Sequence, residues 1–224
     1  QSESTGDYFE NAYMVSAGLN HTLVLVRIEG SGNARTEVYA TGDNTYGQLG
    51  TWTRDGLLIS SYNASTMTPV RVLYRPTIEE GGTHNWFGST ADATDPDNIN
   101  IMGVMAGEYQ SFALDDEGQL YAWGYNGHGE LGIMDTADTT KTTTITAWTT
   151  DVHMLLPTPV LSGLSVDEPV GMDVTYAEDG KTVVSQKPND LPITEVRSFS
   201  NRYQHAMALK ADGTVWGWGE NTNW

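Results

Sequence analysis

Two histidines are the first residues whose type and spacing could support chemistry. His21 and His205 stand in similar nonapeptides, each with a leucine four residues later. Histidine is the side chain that most often binds metals or transfers protons near neutral pH. The middle copy of the nonapeptide has Gln110 at this position, and an amide side chain does not titrate in this range. We therefore predict that these three side chains superpose and make structural hydrogen bonds to backbone.

Carboxylates offer a second kind of chemistry. The segment Asp92–Asn98 carries three aspartates whose oxygens suit Ca²⁺, but it lacks the glycine and the distant glutamate of a calcium-binding loop. Adjacent residues such as Asp115 and Asp116 could supply an acid and a base, but they stand in a turn sequence with no sign of a shared substrate. We interpret both groups as solvated surface, and we predict no metal site and no catalytic residue.

Glycine recurs at three matched positions in the segments 42–50 and 124–132. No Gly-x-x-x-x-Gly-Lys pattern is present, and no helix is expected to follow on which a phosphate could sit. We predict instead that these glycines adopt positive φ or permit close backbone approach in a tight loop, and we expect no cofactor. They are Gly42, Gly47, Gly50, Gly124, Gly129 and Gly132.

The chain contains three copies of a repeat with two blocks. The first block runs Ala17–Leu25 and Ala106–Leu114, which match without gaps, and a looser copy runs Asn201–Leu209. The second block spans Val38–Gly50, Leu120–Gly132 and Val215–Asn221. Residues that recur at matched positions are expected to have structural roles. Besides those above, they include Gly18, Gly107, Trp123, Trp218 and Gly219.

Turn sequences join the two blocks. The turns that end at Gly118 and Gly213 contain acidic residues before glycine and are flanked by alternating apolar residues, a strong signal of a β-hairpin. A further strand is predicted after Pro69 and after Pro159. Helical periodicity is nearly absent, so the sequence predicts an all-β fold. Because one blade does not bury both of its faces alone, the stacked blades of a β-propeller fit the repeats best.

The repeat resembles that of the regulator of chromosome condensation family. The resemblance rests on an Ala-Gly-x-x-His-(Ser/Thr)-x-x-Leu strand, an Asp-Gly hairpin and a Trp-Gly-x-Asn-x-x-Gly-x-Leu-Gly loop, which cover residues 15–50, 104–132 and 196–224. The resemblance implies that each repeat forms one blade of a propeller with about seven blades. It also implies that successive repeats follow at about 50 residues. The copies here lie about 90 residues apart, so we predict long insertions at about 75–100 and 163–194.

Residues 1–224 are thus expected to form a partial β-propeller. Three repeats are fewer than the four to eight blades that usually close such a ring. We expect the ring to be completed either by a continuation of the chain or by another subunit that lends strands.

Composition restricts the classes of partner and the compartment. The chain has 29 acidic against 11 basic residues, a net charge of -18, which disfavours nucleic acid and anionic membrane surfaces. No apolar run approaches the length that spans a bilayer, so no direct membrane insertion is expected. Cysteine is absent. Low lysine, a mature-looking start at Gln1 and glycosylation-type triplets at Asn20 and Asn63 predict an extracellular or cell-surface protein.

These observations favour a non-enzymatic binding or scaffold protein whose propeller loops contact a protein or glycan. The two insertions are expected to supply most of the contact surface, and the partner surface is expected to be neutral or basic. One alternative is a subunit of an extracellular filament or surface assembly, completed by strands from further copies of itself. The family resemblance implies another alternative, a regulatory or inhibitor propeller similar to nucleotide-exchange factors or enzyme inhibitors.

Overall fold

The computed structural model describes residues 11–28, 35–51, 65–75, 85–88, 98–133, 149–150, 153–160, 172–176, 183–188 and 193–220. Every regular element in these ranges is a β-strand, and none of them contains a helix that could cross a membrane. Several predictions concern residues outside these ranges: glycosylation at Asn63, the acidic segment 92–97, and the end of the third repeat after Glu220.

The strands form three antiparallel sheets that correspond to the three repeats, and we name these sheets blades 1, 2 and 3. Blade 1 contains β1 (Ala12–Ala17), β2 (His21–Ile28), β3 (Arg35–Gly42) and β4 (Thr66–Arg71). Blade 2 contains β7 (Ile101–Ala106), β8 (Gln110–Asp115), β9 (Leu120–Tyr125), β10 (Thr149–Thr150) and β11 (His153–Pro159). Blade 3 contains β14 (Val196–Arg202), β15 (His205–Lys210) and β16 (Val215–Gly219).

Two small sheets lie outside the blades. Strand β5 (Leu73–Arg75) pairs with β6 (Asn85–Trp86), and β12 (Met172–Tyr176) pairs with β13 (Val183–Pro188). The first insertion predicted from the sequence, 75–100, contains β6, and the second, 163–194, contains β12 and β13.

Both predicted hairpins are present. Leu114 pairs with Leu120 across the first, and Leu209 pairs with Val215 across the second. Their turns place Gly118 and Gly213 at φ values of 79° and 89°, a region that glycine enters without steric penalty.

The prediction that a strand begins after each proline is wrong in its boundaries. Pro69 lies inside β4, which is the edge strand of blade 1, and Pro159 is the last residue of β11 rather than the first. Proline has no backbone N–H to donate, so an edge strand or a strand terminus tolerates it best. The strand of blade 2 therefore ends at its proline.

The core lies between successive blades. In β2, the side chains that alternate with His21 on one face include Leu23 and Leu25, both fully buried, and this strand packs against β7 of blade 2. The equivalent residues of β15, Met207 and Leu209, are 47% and 40% exposed. Within the described residues, each blade thus uses one face to support the next, and the corresponding face of blade 3 is uncovered.

Candidate functional site

One end of the blades gathers two sets of loops, and we call this end the loop face. Strands β1 and β3 run in the same direction, as do their counterparts in the other blades, so the segments that follow them meet at one end. The inner turns comprise 18–20, 107–109 and 202–204; the described parts of the outer loops comprise 43–50 and 125–132. Hydrogen bonds tie inner turns to outer loops: Asp43 N to Asn20 O at 2.8 Å, Tyr125 N to Tyr109 O at 3.0 Å, and Glu220 N to Gln204 O at 2.7 Å.

Glycine makes this close approach possible. Gly42 and Gly219 are the last residues of their strands and Gly124 is the last but one, with φ values of 113°, 106° and 100°. A Cβ at any of them would collide with the carbonyl oxygen of the neighbouring inner turn. The repeated glycine after each outer strand therefore sets the distance between the two loops.

The outer loops are held by amide side chains. Asn44 Oδ1 accepts a hydrogen bond from Leu49 N at 2.8 Å, and Asn126 Oδ1 accepts one from Leu131 N at 3.0 Å. Both asparagines are buried. They occupy the asparagine position of the Trp-Gly-x-Asn-x-x-Gly-x-Leu-Gly motif. This motif is the sequence signal for both asparagines, although neither was predicted as a structural residue.

Tryptophan joins blades 2 and 3 to the outer loop of the preceding blade. Trp123 Nε1 donates to Gln48 O at 2.9 Å, and Trp218 Nε1 donates to Glu130 O at 2.8 Å. The predicted packing role of these two rings is therefore accompanied by a hydrogen bond that crosses the blade boundary. Because the two bonds use equivalent atoms, they are a property of the repeat.

His21 also acts across a blade boundary. Its Nε2 lies 2.9 Å from Ser111 Oγ, and that hydroxyl donates to Gln48 O at 2.7 Å, so Nε2 is the donor to the serine. Burial lowers the pKa of His21 to about 4, which keeps the ring neutral near pH 7. We expected a backbone partner; the partner across the boundary is a side chain.

Gln110 and His205 occupy the same repeat position as His21 but have different surroundings. Gln110 Nε2 donates to Glu130 Oε1 at 3.2 Å within blade 2. His205 is exposed on blade 3, beyond which the described residues contain no further blade. None of the described residues form a cluster of three or more His, Asp or Glu side chains that could hold a metal ion.

Four rings form a cluster on the loop face between blades 1 and 2, which we call the tyrosine cluster. Tyr46 stands at its centre, with ring centroids 4.9 Å from Tyr109, 5.0 Å from Tyr125 and 5.0 Å from His153. All four side chains are partly exposed. The sequence analysis did not identify this cluster, because its members come from different parts of the repeat and do not recur at matched positions.

Asp43 contributes a fixed negative charge beside the tyrosine cluster. Its carboxylate accepts hydrogen bonds from Thr45, from Ser65 Oγ at 3.0 Å and from Gln48 Nε2 at 3.0 Å. Burial opposes ionisation, but these hydrogen bonds outweigh it and hold the pKa of Asp43 below its usual value. The carboxylate is therefore ionised at neutral pH.

Two further carboxylates act on the tyrosine hydroxyls. Desolvation and then the charge of Glu108 raise the pKa of Tyr109, with Asp43 adding to the effect. Desolvation and the charge of Glu130 raise the pKa of Tyr125. Tyr109 and Tyr125 thus carry neutral phenols in a negative potential.

A groove runs along the inner turns of all three blades. Its volume is about 360 Å³, and it is lined by Gly18, Leu19, Ala106, Gly107, Glu108, Asn201, Arg202 and Tyr203. Leu19 and Tyr203 are 60% and 56% exposed. Asn20, the predicted glycosylation site, is exposed beside this groove.

A family model for the regulator of chromosome condensation (RCC1) repeat matches residues 104–130 and 203–223, which lie in blades 2 and 3. Blades 2 and 3 thus carry the RCC1-type repeat. The ultraviolet-B receptor UVR8 of Arabidopsis thaliana is 25% identical to this RCC1-repeat chain over 92% of the chain and 53% of the receptor. Protein pim1 of Schizosaccharomyces pombe is 27% identical over 56% of the chain and 28% of its own length. The chain thus spans about half of the first relative.

Solved structures agree with the fold. Yeast RCC1 (Prp20) bound to Kap60 and Prp20p from Saccharomyces cerevisiae each superpose with a TM-score of 0.51 at 19% identity. The similarity extends over 94% of this chain and over 32% and 34% of theirs. The predicted class, all-β propeller blades, is confirmed. The described blades are thus similar in fold to the propellers of RCC1 proteins.

Proposed function

We propose that this chain is a non-enzymatic scaffold that binds a protein through its loop face. Residues 1–224 are taken as one partial propeller. The observation that carries the proposal is the combination of rigid loops and exposed side chains at one end of the blades. The loops are fixed by backbone bonds such as Asp43 N to Asn20 O, while Leu19 and Tyr203 remain largely exposed beside the groove. Loops on a rigid β-scaffold are where binding residues accumulate.

Two buried titratable groups of this face, His21 and Glu130, are engaged in structure. His21 is buried and neutral, and its Nε2 is used in the bond to Ser111. Glu130 is 1% exposed, accepts a hydrogen bond from His128 N at 2.7 Å and has a pKa raised by burial. The Ser111 hydroxyl that His21 contacts is fully buried and donates to Gln48 O at 2.7 Å. These contacts support binding over catalysis.

The charge of the chain and its similarity to the yeast protein favour a protein over other classes of binding partner. The net charge of -18 disfavours nucleic acid, and the yeast relative was solved with Kap60 bound. We further propose that the insertions at about 75–100 and 163–194 extend the contact surface, and that the protein works outside the cell or at its surface. The exposed position of Asn20 is compatible with glycosylation there.

Site-directed photo-crosslinking tests the proposed function. A photoreactive phenylalanine analogue replaces Leu19 on the loop face or, as a control, Asp212 in the β15–β16 turn at the opposite end of blade 3. We expect a protein adduct from position 19 and none from position 212. The captured protein is then purified, and its affinity is compared for the full chain and for a variant without the two insertions.

The expected result is an affinity that falls when the insertions are removed, with the adduct confined to the loop face. Equal adducts from the two positions, or a captured protein that binds the shortened variant as tightly as the full chain, would contradict the proposal.

A further inference from the structure

We infer that the tyrosine cluster, together with Asp43 and Glu108, binds an arginine side chain of the partner. This inference rests on the proposed function, because it assigns a ligand chemistry to one part of the loop face. It concerns four rings that lie side by side at the junction of blades 1 and 2, half-exposed, with carboxylates at their border.

The tyrosine cluster is not required to join two blades. The junction of blades 2 and 3 has the same Trp218 Nε1 to Glu130 O hydrogen bond, yet His128 takes the place of Tyr46 there and Gln204 takes the place of Tyr109. Residues needed by the fold recur at matched positions, as Trp123 and Trp218 do. Residues that depart from the repeat and meet in space are candidates for a specific function.

The cluster is held in place before any ligand arrives. Tyr46 N donates to Gln48 Oε1 at 2.8 Å, and Gln48 Nε2 donates to Asp43 Oδ2 at 3.0 Å. Tyr109 stands on an inner turn whose carbonyl accepts from Tyr125 N at 3.0 Å. Rings that are already ordered lose little conformational entropy on binding.

Charge selects the ligand. The charged side chains that act on the Tyr109 hydroxyl are Glu108 and Asp43, and both bring negative charge to the ring borders. A cation over an aromatic ring is favourable, and a carboxylate beside it adds to the attraction. Guanidinium is planar, stacks on aromatic rings and hydrogen-bonds carboxylates in a fork, so arginine matches this surface better than lysine does. Tyrosine and arginine are also the residues that most often dominate protein interfaces.

The test uses the full 224-residue chain, labelled with ¹⁵N, and a capped Gly-Gly-Arg-Gly-Gly peptide as the probe. The matched control peptide has citrulline, which keeps the shape of arginine but carries no charge. We expect saturable shifts of the amides of 43–48 and 108–110 with the arginine peptide. The citrulline peptide should bind about tenfold more weakly.

Two pairs of variants separate the contribution of the Tyr46 ring to peptide binding from that of the Glu108 charge. Tyr46→Leu should weaken the arginine peptide about fivefold. Tyr13→Leu, at a 56% exposed tyrosine near the start of β1 and away from the loop face, should leave it unchanged. Glu108→Gln should weaken it severalfold, while Glu117→Gln, in the turn at the opposite end of blade 2, should not. Tyr46→Phe keeps the ring and should bind within about twofold of the parent, and its folded spectrum guards against a loss of structure.

Citrulline binding equal to arginine binding would overturn the inference, as would an absence of saturable shifts up to about 10 mM peptide. Equal losses from Tyr46→Leu and Tyr13→Leu would do the same. None of these results bears on the crosslinking at position 19. A failure of the arginine site with an intact loop-face adduct therefore contradicts this inference alone, and a missing adduct contradicts the proposed function.

Discussion

Two glycine substitutions measure how tightly one blade is packed on the next. Gly50 and Gly129 have φ values of 64° and 75°, so alanine meets a similar backbone penalty of about 1 kcal/mol at each. A Cβ at Gly50 would lie 2.8 Å from Val72 Cγ1 and 3.0 Å from Trp123 Nε1, whereas nothing lies within 4 Å of a Cβ at Gly129. Overpacking of this kind adds about 2 kcal/mol. We expect Gly50→Ala to lower the free energy of unfolding by about 3 kcal/mol, and Gly129→Ala to lower it by about 1 kcal/mol.

Urea unfolding followed by tryptophan fluorescence gives both values, since Trp123 reports directly on the altered contact. The comparison is internal, because the two variants share the added methyl group and the left-handed backbone. Equal destabilisation of the two variants would refute the account of the blade junction. A loss confined to Gly129→Ala would refute it more strongly.

Two further perturbations test the bonds that support the loop face. His21 has a native pKa of about 4 against an ordinary value of 6.5, so the unfolded chain takes up a proton before the native protein does; stability should therefore fall by about 3 kcal/mol as the pH drops from 6.5 to 4. His21→Gln should lack this part of the pH dependence, and an unchanged profile in urea titrations at several pH values would argue against a neutral buried ring. Asn126→Ala removes the acceptor of Leu131 N and should lower stability by about 1 to 2 kcal/mol, whereas a loss below about 0.3 kcal/mol in the same assay would show that the loop does not depend on it.

The repeat made much of the fold predictable from the sequence. The hairpins at Gly118 and Gly213 follow from local rules, because the turn chemistry and the alternation of apolar residues lie within a few positions of each other. The alignment of His21 with Gln110 and His205 likewise indicated a position shared by all three repeats. Proline was a poorer guide, since β11 ends at Pro159 where a strand was predicted to begin.

The tyrosine cluster was not predictable in this way. Tyr46 and Tyr109 are separated by 63 positions in the chain and approach each other only because an outer loop of blade 1 leans onto an inner turn of blade 2. Repeat analysis detects residues that recur, and these do not. For the same reason the sequence indicated the packing of Trp123 but not its partner, Gln48 O, which belongs to the preceding blade.

Hydrogen–deuterium exchange of the chain with its purified protein partner tests most directly whether the loop face is the binding surface. We expect slower exchange in the inner turns 18–20 and 107–109 and in the outer loop 43–50 when the partner is bound. Exchange in the turns 116–119 and 211–214, at the opposite end of the blades, should stay unchanged. Protection of those opposite turns, with the loop face exchanging as in the free chain, would contradict binding at the loop face.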